Sequence, residues 1–377
     1  MKIKKSIYAF MNGYSIGKSG ADIALIELLK RLTYFKRTII TSKNGIKLCK
    51  NLNLINISFI ITSYESEVIN ILWIYIKRTW KIIFSKQIPK YNSILLSSSD
   101  FFPDVFPCFL LKMNNIWIQT IHHLYPHYKS RQGNFFINFI VYYLQRFSFF
   151  LIKKRANKII VVNTMVKNQL IKLDFNKNII KVIPNAINIS YYEKIKRERH
   201  RYDTVYLGRL NYSKGIFDLI DIWKQIIKKN NKIKLAIIGK GNKKITNSLL
   251  KKINNNKLKN NIKYLGCLSD KQAFSIIKSS KLFINPSHEE GFSITCLQAM
   301  ACNIPVISWN LKSYKTIFEY NLIKIKKGNI HAFSNSIIKL LKDKKQRNNI
   351  SKKAFKYITK YDWKYILPEY INILNNI

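Results

Sequence analysis

Lys281–Asn310 reads KLFINPSHEEGFSITCLQAMACNIPVISWN. Leu282 to Asn285 is a short apolar run of strand length and composition. Pro286 to Gly291 interrupts it with turn formers and two carboxylates. From Phe292 to Cys302 the apolar residues Phe292, Ile294, Cys296, Leu297, Met300 and Ala301 recur at helical spacing. Pro305 to Ser308 then supplies a second strand. The stretch is therefore a β-loop-α-β unit. In open α/β sheets ligands sit beyond the strand ends, where helix N-termini offer free amides to anions. Taken alone, the Glu290-Gly291 turn is better read as a solvated turn carrying surface charge.

A second loop in the same half of the chain shifts that balance. Thr204 to Leu207 reads as a strand and Ile216 to Ile227 as an amphipathic helix, with Gly208-Arg209-Leu210-Asn211-Tyr212-Ser213-Lys214-Gly215 between them. A diphosphate needs cations and a backbone free to approach it. Arg209 and Lys214 supply the first, Gly208 and Gly215 the second, and Glu290 is an acceptor for sugar hydroxyls. Further strands at Leu235 to Ile238 and Ile262 to Leu265, with a helix over Asp270 to Ser279, extend the alternation. Such alternation argues for a parallel sheet covered by helices.

The first half repeats the pattern. Ile3 to Met11 is a strand, Asn12 to Gly20 a glycine-containing loop and Ala21 to Leu32 a helix. The loop lacks the GxGxxG spacing, so it supports a dinucleotide fold only weakly. Strands at Ile94 to Ser97 and Ile116 to Ile121 follow, the second ending at His122-His123 before a Pro-containing loop. That is where α/β sheets place their chemistry, and hydrogen-bonded loop histidines fit equally well. Lys158 to Val162 and Ile179 to Ile183 are further strands. The polar stretch Tyr191 to Asp203 reads as a linker between two lobes with a cleft between them.

The 377 residues carry 66 Lys and Arg against 19 Asp and Glu, a net charge of +47 spread over the whole chain. A diffuse excess of this kind points to an anionic partner or surface, or to lysine drift at exposed positions. With 47% hydrophobic residues the chain has ample core-forming material, which excludes a disordered protein. Five cysteines without a CxxC pair fit a reducing compartment and give no zinc or disulfide frame. The N-terminal apolar stretch ends by Asn12 and reads as a strand, not a signal peptide. Ile69 to Lys90 interleaves Trp73, Tyr75, Trp80 and Phe84 with Lys77, Arg78, Lys81 and Lys86, as helices in a headgroup layer do. Phe135 to Ile152 is strongly apolar but interrupted by Asn138, Gln145 and Arg146, and a buried helix of the first lobe is the preferred reading.

VYLGRLNYSKGIFDLI, IIGKG, IKYLGCLSD and INPSHEEGFSITCLQAMACNIPVIS resemble the nucleotide-binding half of glycosyltransferase family 4 (glycosyl transferases group 1), the retaining GT-B enzymes. The resemblance covers Thr204 to Ser308 and continues weakly to YDWKYILPEYINIL. It is looser in the first half, through ILLSSSDFFPD, IQTIHHLYP, ANKIIVVN and KVIPNAIN. It implies an α/β GT-B fold, two Rossmann-like parallel-sheet lobes facing across a cleft. The expected division is an acceptor-binding lobe over 1–195, a nucleotide-sugar-binding lobe over 196–355 and a closing helix over 356–377 that returns to the first lobe.

By the same similarity Arg209 and Lys214 hold the donor diphosphate, with Gly208 in their loop, and Glu290 contacts the donor sugar. The amides of Gly291, Phe292 and Ser293 add hydrogen bonds, His122 lies near the sugar and Gly20 near the phosphates. Gln298 stands where the family's E-x7-E motif has its second glutamate, a ribose ligand. An amide still hydrogen-bonds hydroxyls, so altered donor affinity is expected before lost activity. The family's PNG turn is Pro184-Asn185-Ala186 here, so a left-handed residue there is either unnecessary or strained.

The implied activity is metal-independent hexosyl transfer with retention, from a UDP-, GDP- or ADP-sugar and without a cofactor. The implied acceptor is lipid-linked or a polysaccharide or lipopolysaccharide. The expected location is the cytoplasm, peripheral to the inner face of the membrane, with an anionic membrane surface as a further partner. A GT-B nucleotide-sugar epimerase and a non-catalytic nucleic-acid binder exploiting the charge are the alternatives. No RNA-binding motif or zinc spacing supports the second, and no nucleic-acid partner is expected.

Overall fold

The computed structural model describes residues 5–13, 19–64, 71–88, 91–199 and 201–376. The chain folds as two compact units, Met1–Pro184 with Leu367–Ile377, and Asn185–Ile366. Both are parallel α/β sheets.

The first unit holds strands β1 (Ser6–Met11), β2 (Lys36–Thr41), β3 (Ser58–Ile61), β4 (Ser93–Ser97), β5 (Ile116–Ile121), β6 (Lys158–Val161) and β7 (Ile180–Val182). Their order in the sheet is β3-β2-β1-β4-β5-β6-β7, every pairing parallel. The connecting helices are α1 (Gly20–Arg31), α2 (Lys43–Asn51), α3 (Ile71–Ile83), α4 (Phe102–Leu111), α5 (Phe135–Arg155) and α6 (Thr164–Ile171). Near-continuous apolar strands such as Ile94-Leu95-Leu96 are what a sheet covered on both faces requires, and all three side chains are buried. Trp117, Phe10, Leu95, Ile152 and Phe149 lie in one core cluster.

The second unit holds β8 (Thr204–Leu207), β9 (Leu235–Ile238), β10 (Ile262–Gly266), β11 (Leu282–Asn285), β12 (Val306–Trp309) and β13 (Ile323–Ile325) in the order β10-β9-β8-β11-β12-β13, again all parallel. Helices α7 (Ile189–Lys194), α8 (Asp218–Lys229), α9 (Lys243–Asn255), α10 (Asp270–Ser279), α11 (Ile294–Ala301), α12 (Lys312–Ile317), α13 (Ile330–Lys342), α14 (Lys344–Ile358) and α15 (Trp363–Asn375) complete the chain, the last eleven residues of which belong to the first unit. Trp223, Trp309, Tyr314, Phe283 and Phe333 fill this unit's core.

In each sheet the strand order reverses once, between β1 and β4 and between β8 and β11. Loops leaving the two central strands diverge there, which opens a crevice at the strands' C-terminal ends.

Three local expectations change. The polar stretch 191–203 is not wholly a linker: Tyr191–Lys194 belong to α7, whose Ile189 and Tyr192 are buried. The units divide at Pro184-Asn185, upstream of the charged residues that suggested 195. Ala186 in that turn is not left-handed. The neighbouring Ile187 amide instead donates to the Tyr361 carbonyl at 2.9 Å, so the turn is held without a glycine. The third change concerns α5. Its Phe149, Leu151 and Ile152 are buried together with Asn138, Gln145 and Ser148, while Phe135, Phe136, Phe139, Phe147 and Phe150 are exposed, so it is only in part the buried helix the composition suggested.

Candidate functional site

The second unit's reversal point brings two loops together. The 208–215 loop leaves β8 and the 286–293 loop leaves β11, the adjacent strand. Gly215 has φ +66°, and a Cβ there would lie 1.9 Å from the Pro286 carbonyl oxygen. A glycine is required because the backbone of one loop rests directly on the other. The His288 amide donates to the Ser213 carbonyl at 2.8 Å, a second tie between them. Gly239, after β9, closes against the Gly208 carbonyl, which a Cβ would approach to 1.8 Å.

This scaffold places Lys214 and Glu290 in an ion pair, Nζ to Oε1 2.6 Å, with both side chains largely shielded. The Ser287 hydroxyl lies 2.9 Å from the same carboxylate oxygen, and the Ser313 hydroxyl donates to the Glu290 carbonyl at 2.7 Å. Glu290 is thus fixed through backbone and side chain. Arg209 lies in the same loop as Lys214. The Tyr206 hydroxyl donates to its carbonyl at 3.1 Å, and that phenol is influenced by the charges of both Glu290 and Arg209. The three charged residues named from the sequence therefore share one corner of the second unit. The difference from expectation is in pairing: Lys214 and Glu290 engage each other.

Behind the loops lies a support that the sequence did not disclose. Asp218, the first residue of α8, accepts from the Trp309 indole at 3.0 Å, and its other oxygen lies 3.2 Å from His288 Nε2. Nothing in their spacing links positions 218, 288 and 309. Asn285 at the end of β11 donates towards the hydroxyls of Tyr314 at 2.8 Å and Ser293 at 3.1 Å. Ser293 itself caps α11 with a left-handed φ of +64°, and its side chain makes no cap bond to the helix. Gly291, Phe292 and Ser293 therefore lead into the N-terminus of α11, where the first-turn amides lack intrahelical partners. Gln298, on α11, is buried and donates to the Tyr192 hydroxyl at 2.8 Å, so its amide is already committed to the fold.

The first unit's reversal point is built differently. Asn12, directly after β1, donates its amide to Asp104 Oδ1 at 2.6 Å, and its carbonyl accepts from Arg78 Nη1 at 2.7 Å. Ser99 Oγ donates to the other Asp104 oxygen at 2.6 Å, and Tyr75 OH donates to the Gly13 carbonyl at 2.9 Å. Burial raises the Asp104 carboxyl to about 7 and the Asp100 carboxyl to about 6, the latter holding the Gln145 amide at 2.5 Å. His122 directly follows β5, with Nε2 3.1 Å from the Ser98 carbonyl. A carbonyl only accepts, so Nε2 carries the proton. Burial, with His123 beside it, lowers the imidazole to about 4. The ring is neutral at pH 7, with an acceptor lone pair on Nδ1. Gly20 begins α1, behind the Ser19 cap. Residues 14–18 of the loop before it lie outside the described residues. Among the described residues no cluster of three or more His, Cys, Asp or Glu side chains is placed to hold a metal.

Comparison with known proteins matches residues 191–357 to the family described as Glycosyl transferases group 1. An uncharacterized glycosyltransferase of Methanocaldococcus jannaschii is 26% identical over 239 residues, 60% of this chain and 60% of the relative. The capsular polysaccharide biosynthesis glycosyltransferase CapM of Staphylococcus aureus is 27% identical over 231 residues, 56% and 58% respectively. The matched part thus spans less than two thirds of either relative. Among solved structures, Anabaena Alr3699/HepE in complex with UDP-glucose superposes with a TM-score of 0.79 at 16% identity, over 99% of this chain and 100% of that one. The shared architecture is the GT-B fold of two parallel-sheet units. The ordered motifs around Arg209, Lys214 and Glu290 lie within the matched residues. Over residues 191–357 the chain is similar to the glycosyl transferases group 1 family.

Proposed function

We propose that this chain is a retaining, metal-independent glycosyltransferase. It transfers a hexose from a nucleoside diphosphate sugar to a lipid-linked or polysaccharide acceptor in cell-surface glycan synthesis. The observation that carries this is the Lys214–Glu290 pair, 2.6 Å apart on loops from adjacent strands, with Arg209 in the same loop as the lysine. The similarity to a capsular polysaccharide glycosyltransferase supports a glycan acceptor. The structural neighbour holding UDP-glucose makes UDP-sugars the first donors to assay, ahead of GDP- and ADP-sugars.

In this proposal Arg209 and Lys214 take the donor diphosphate, and the backbone beside Gly208 and the amides of Gly291, Phe292 and Ser293 add donors. Glu290 accepts from the hexose hydroxyls, and the arriving diphosphate shares the ammonium that Glu290 holds in the free protein. The bond from the anomeric carbon to the diphosphate oxygen breaks as an acceptor hydroxyl forms a new bond on the same face. The hydroxyl proton passes to the departing diphosphate. Charge grows on that leaving group, and fixed cations in a shielded site stabilise it more than water does. Within the first unit, His122 is a neutral imidazole at pH 7 and Gly20 starts α1. Gln298, engaged with Tyr192, leaves the ribose less tightly held than a carboxylate would.

The test is incubation with UDP-, GDP- and ADP-hexoses and a lipid-linked glycan primer, the product's anomeric configuration being read by proton NMR. A product of inverted configuration overturns retention. Transfer surviving undiminished in K214A and E290Q removes the pair from the site, and conversion of the donor to its epimer without an acceptor replaces transferase by epimerase. Full activity in EDTA is expected.

A further inference from the structure

Helix α5 buries Phe149, Leu151 and Ile152 in the core of the first unit yet leaves most of its aromatic side chains outside. Its buried side includes Asn138, Gln145 and Ser148, and Gln145 is fastened to the fold by the Tyr125 amide at 2.9 Å and the His123 carbonyl at 3.1 Å. Its outer side carries Phe136 at 73% exposure, with Phe147 and Phe150 also exposed. Helix α3 is divided in the same way. Ile74, Tyr75, Arg78 and Ile82 are buried, while Trp73 at 65%, Trp80 at 54% and, just past the helix, Phe84 at 74% face outward, the last two stacked at 5.7 Å. Both helices contact α4. The right-handed crossovers of a parallel sheet put α3, α4 and α5 on one face of it, so the two aromatic sides look away from the same layer.

Charge selects among the occupants of such a surface. No Asp or Glu occurs from Val68 to Ser99 or from Val105 to Leu173, while Lys77, Lys81 and Lys154 are exposed at or near the aromatic residues and Lys153 pairs with Asp174 at 3.7 Å. Two copies of this face would bring like charges together. Bulky aromatics ringed by cations suit a layer with an apolar interior and an anionic surface.

We propose that the α3–α5 face of the first unit lies in the headgroup layer of an anionic lipid bilayer. Helix α5 lies along the surface without crossing it, because Gln145 and Asn138 tie its inner side to the protein. This holds whether or not the transfer reaction above is correct.

The full chain is mixed with vesicles of phosphatidylcholine alone or with 30% phosphatidylglycerol and floated on a density gradient. Flotation with the anionic vesicles only, reversed by 0.5 M salt, is expected. Removing Lys77 and Lys81 as K77Q/K81Q is expected to lower partitioning about thirtyfold, from roughly fivefold per cation near such a surface. W80S/F84S and F136S/F147S/F150S are each expected to abolish flotation. In the unaltered protein, bromine-labelled acyl chains are expected to quench the tryptophan emission in part, because Trp73 and Trp80 are exposed while Trp117, Trp223, Trp309 and Trp363 are buried. Equal flotation on neutral vesicles, absence of quenching, or a dimer that forms without lipid affinity would each overturn the proposal.

Discussion

The two units place a crevice at the same topological point and furnish it in opposite ways. At the β1/β4 reversal two charged residues are buried and tied to backbone: Arg78 binds the Asn12 carbonyl and Asp104 the Asn12 amide. At the β8/β11 reversal, glycines let two loops touch, and the charges at the surface of that contact face each other. The first arrangement consumes its polar groups in holding a loop, whereas the second leaves an ammonium and a carboxylate whose partners can change. One parallel-sheet plan therefore carries either a hydrogen-bonded support or an ion pair between two loops, depending on whether its loop residues bond to backbone or to each other.

That contrast breaks most visibly at Lys214. K214A should lower transfer roughly 1000-fold, an effect of ~4 kcal/mol typical of deleting a group that stabilises developing charge. Thermal stability should barely change. E290Q, which keeps the shape and loses the charge, should cost roughly 100-fold. Initial rates beside melting curves decide this: a variant losing melting temperature and activity in proportion would make the pair structural, like its counterpart in the first unit.

The first unit has its own test in pH. Asp104 titrates near 7 in the fold and near the ordinary carboxylate value when unfolded, so between those pH values the folded state holds a proton that the unfolded state has released. Stability from this group is present at low pH and lost as pH rises to 7, by roughly 4 kcal/mol over three units. His122 works the other way, since its folded value near 4 lies below the unfolded one and stability rises with pH up to about 6.5. D104N removes only the first contribution. Denaturant melts at pH 4, 6 and 8 should show the difference between parent and D104N shrinking as pH rises. Parallel profiles would mean that the carboxyl is ionised throughout.

What the sequence made legible follows from distance along the chain. Arg209 and Lys214 lie in one loop, and Glu290 precedes a helix with its own periodicity, so short runs announce them. The Asn12 network joins residues 66 and 92 positions apart, and no local pattern brings them together. The same holds for Asp218, His288 and Trp309, whose meeting depends on where β11 and β12 fall in the sheet. Helix α5 misled for another reason. Hydropathy counts apolar residues without saying which way they point, and here Asn138, Gln145 and Ser148 point in while five phenylalanines point out.

A third test acts on the contact between the loops. G215A sets a Cβ 1.9 Å from the Pro286 oxygen at φ +66°, both of which a glycine avoids. A loss of roughly 2–3 kcal/mol in stability is expected, with transfer falling too because Lys214 is displaced from Glu290. Full activity with lowered stability would show that the pair tolerates movement of its loops.

The smallest effect isolates backbone strain at the start of α11. Ser293 adopts φ +64° without capping the helix by its side chain, a conformation that costs a residue with a Cβ about 1 kcal/mol. Its hydroxyl does hold Asn285 and the Cys296 thiol, so removing the side chain has a cost of its own. S293A and S293G lose that hydroxyl equally and differ only in the Cβ. The glycine variant should therefore be the more stable of the two by about 1 kcal/mol in urea melts, less the entropy a glycine gives up on folding. If the alanine variant is as stable, the left-handed turn relaxes when the hydroxyl goes. The hydroxyl, through Asn285 and Tyr314, would then be what bends the chain towards the amides of α11.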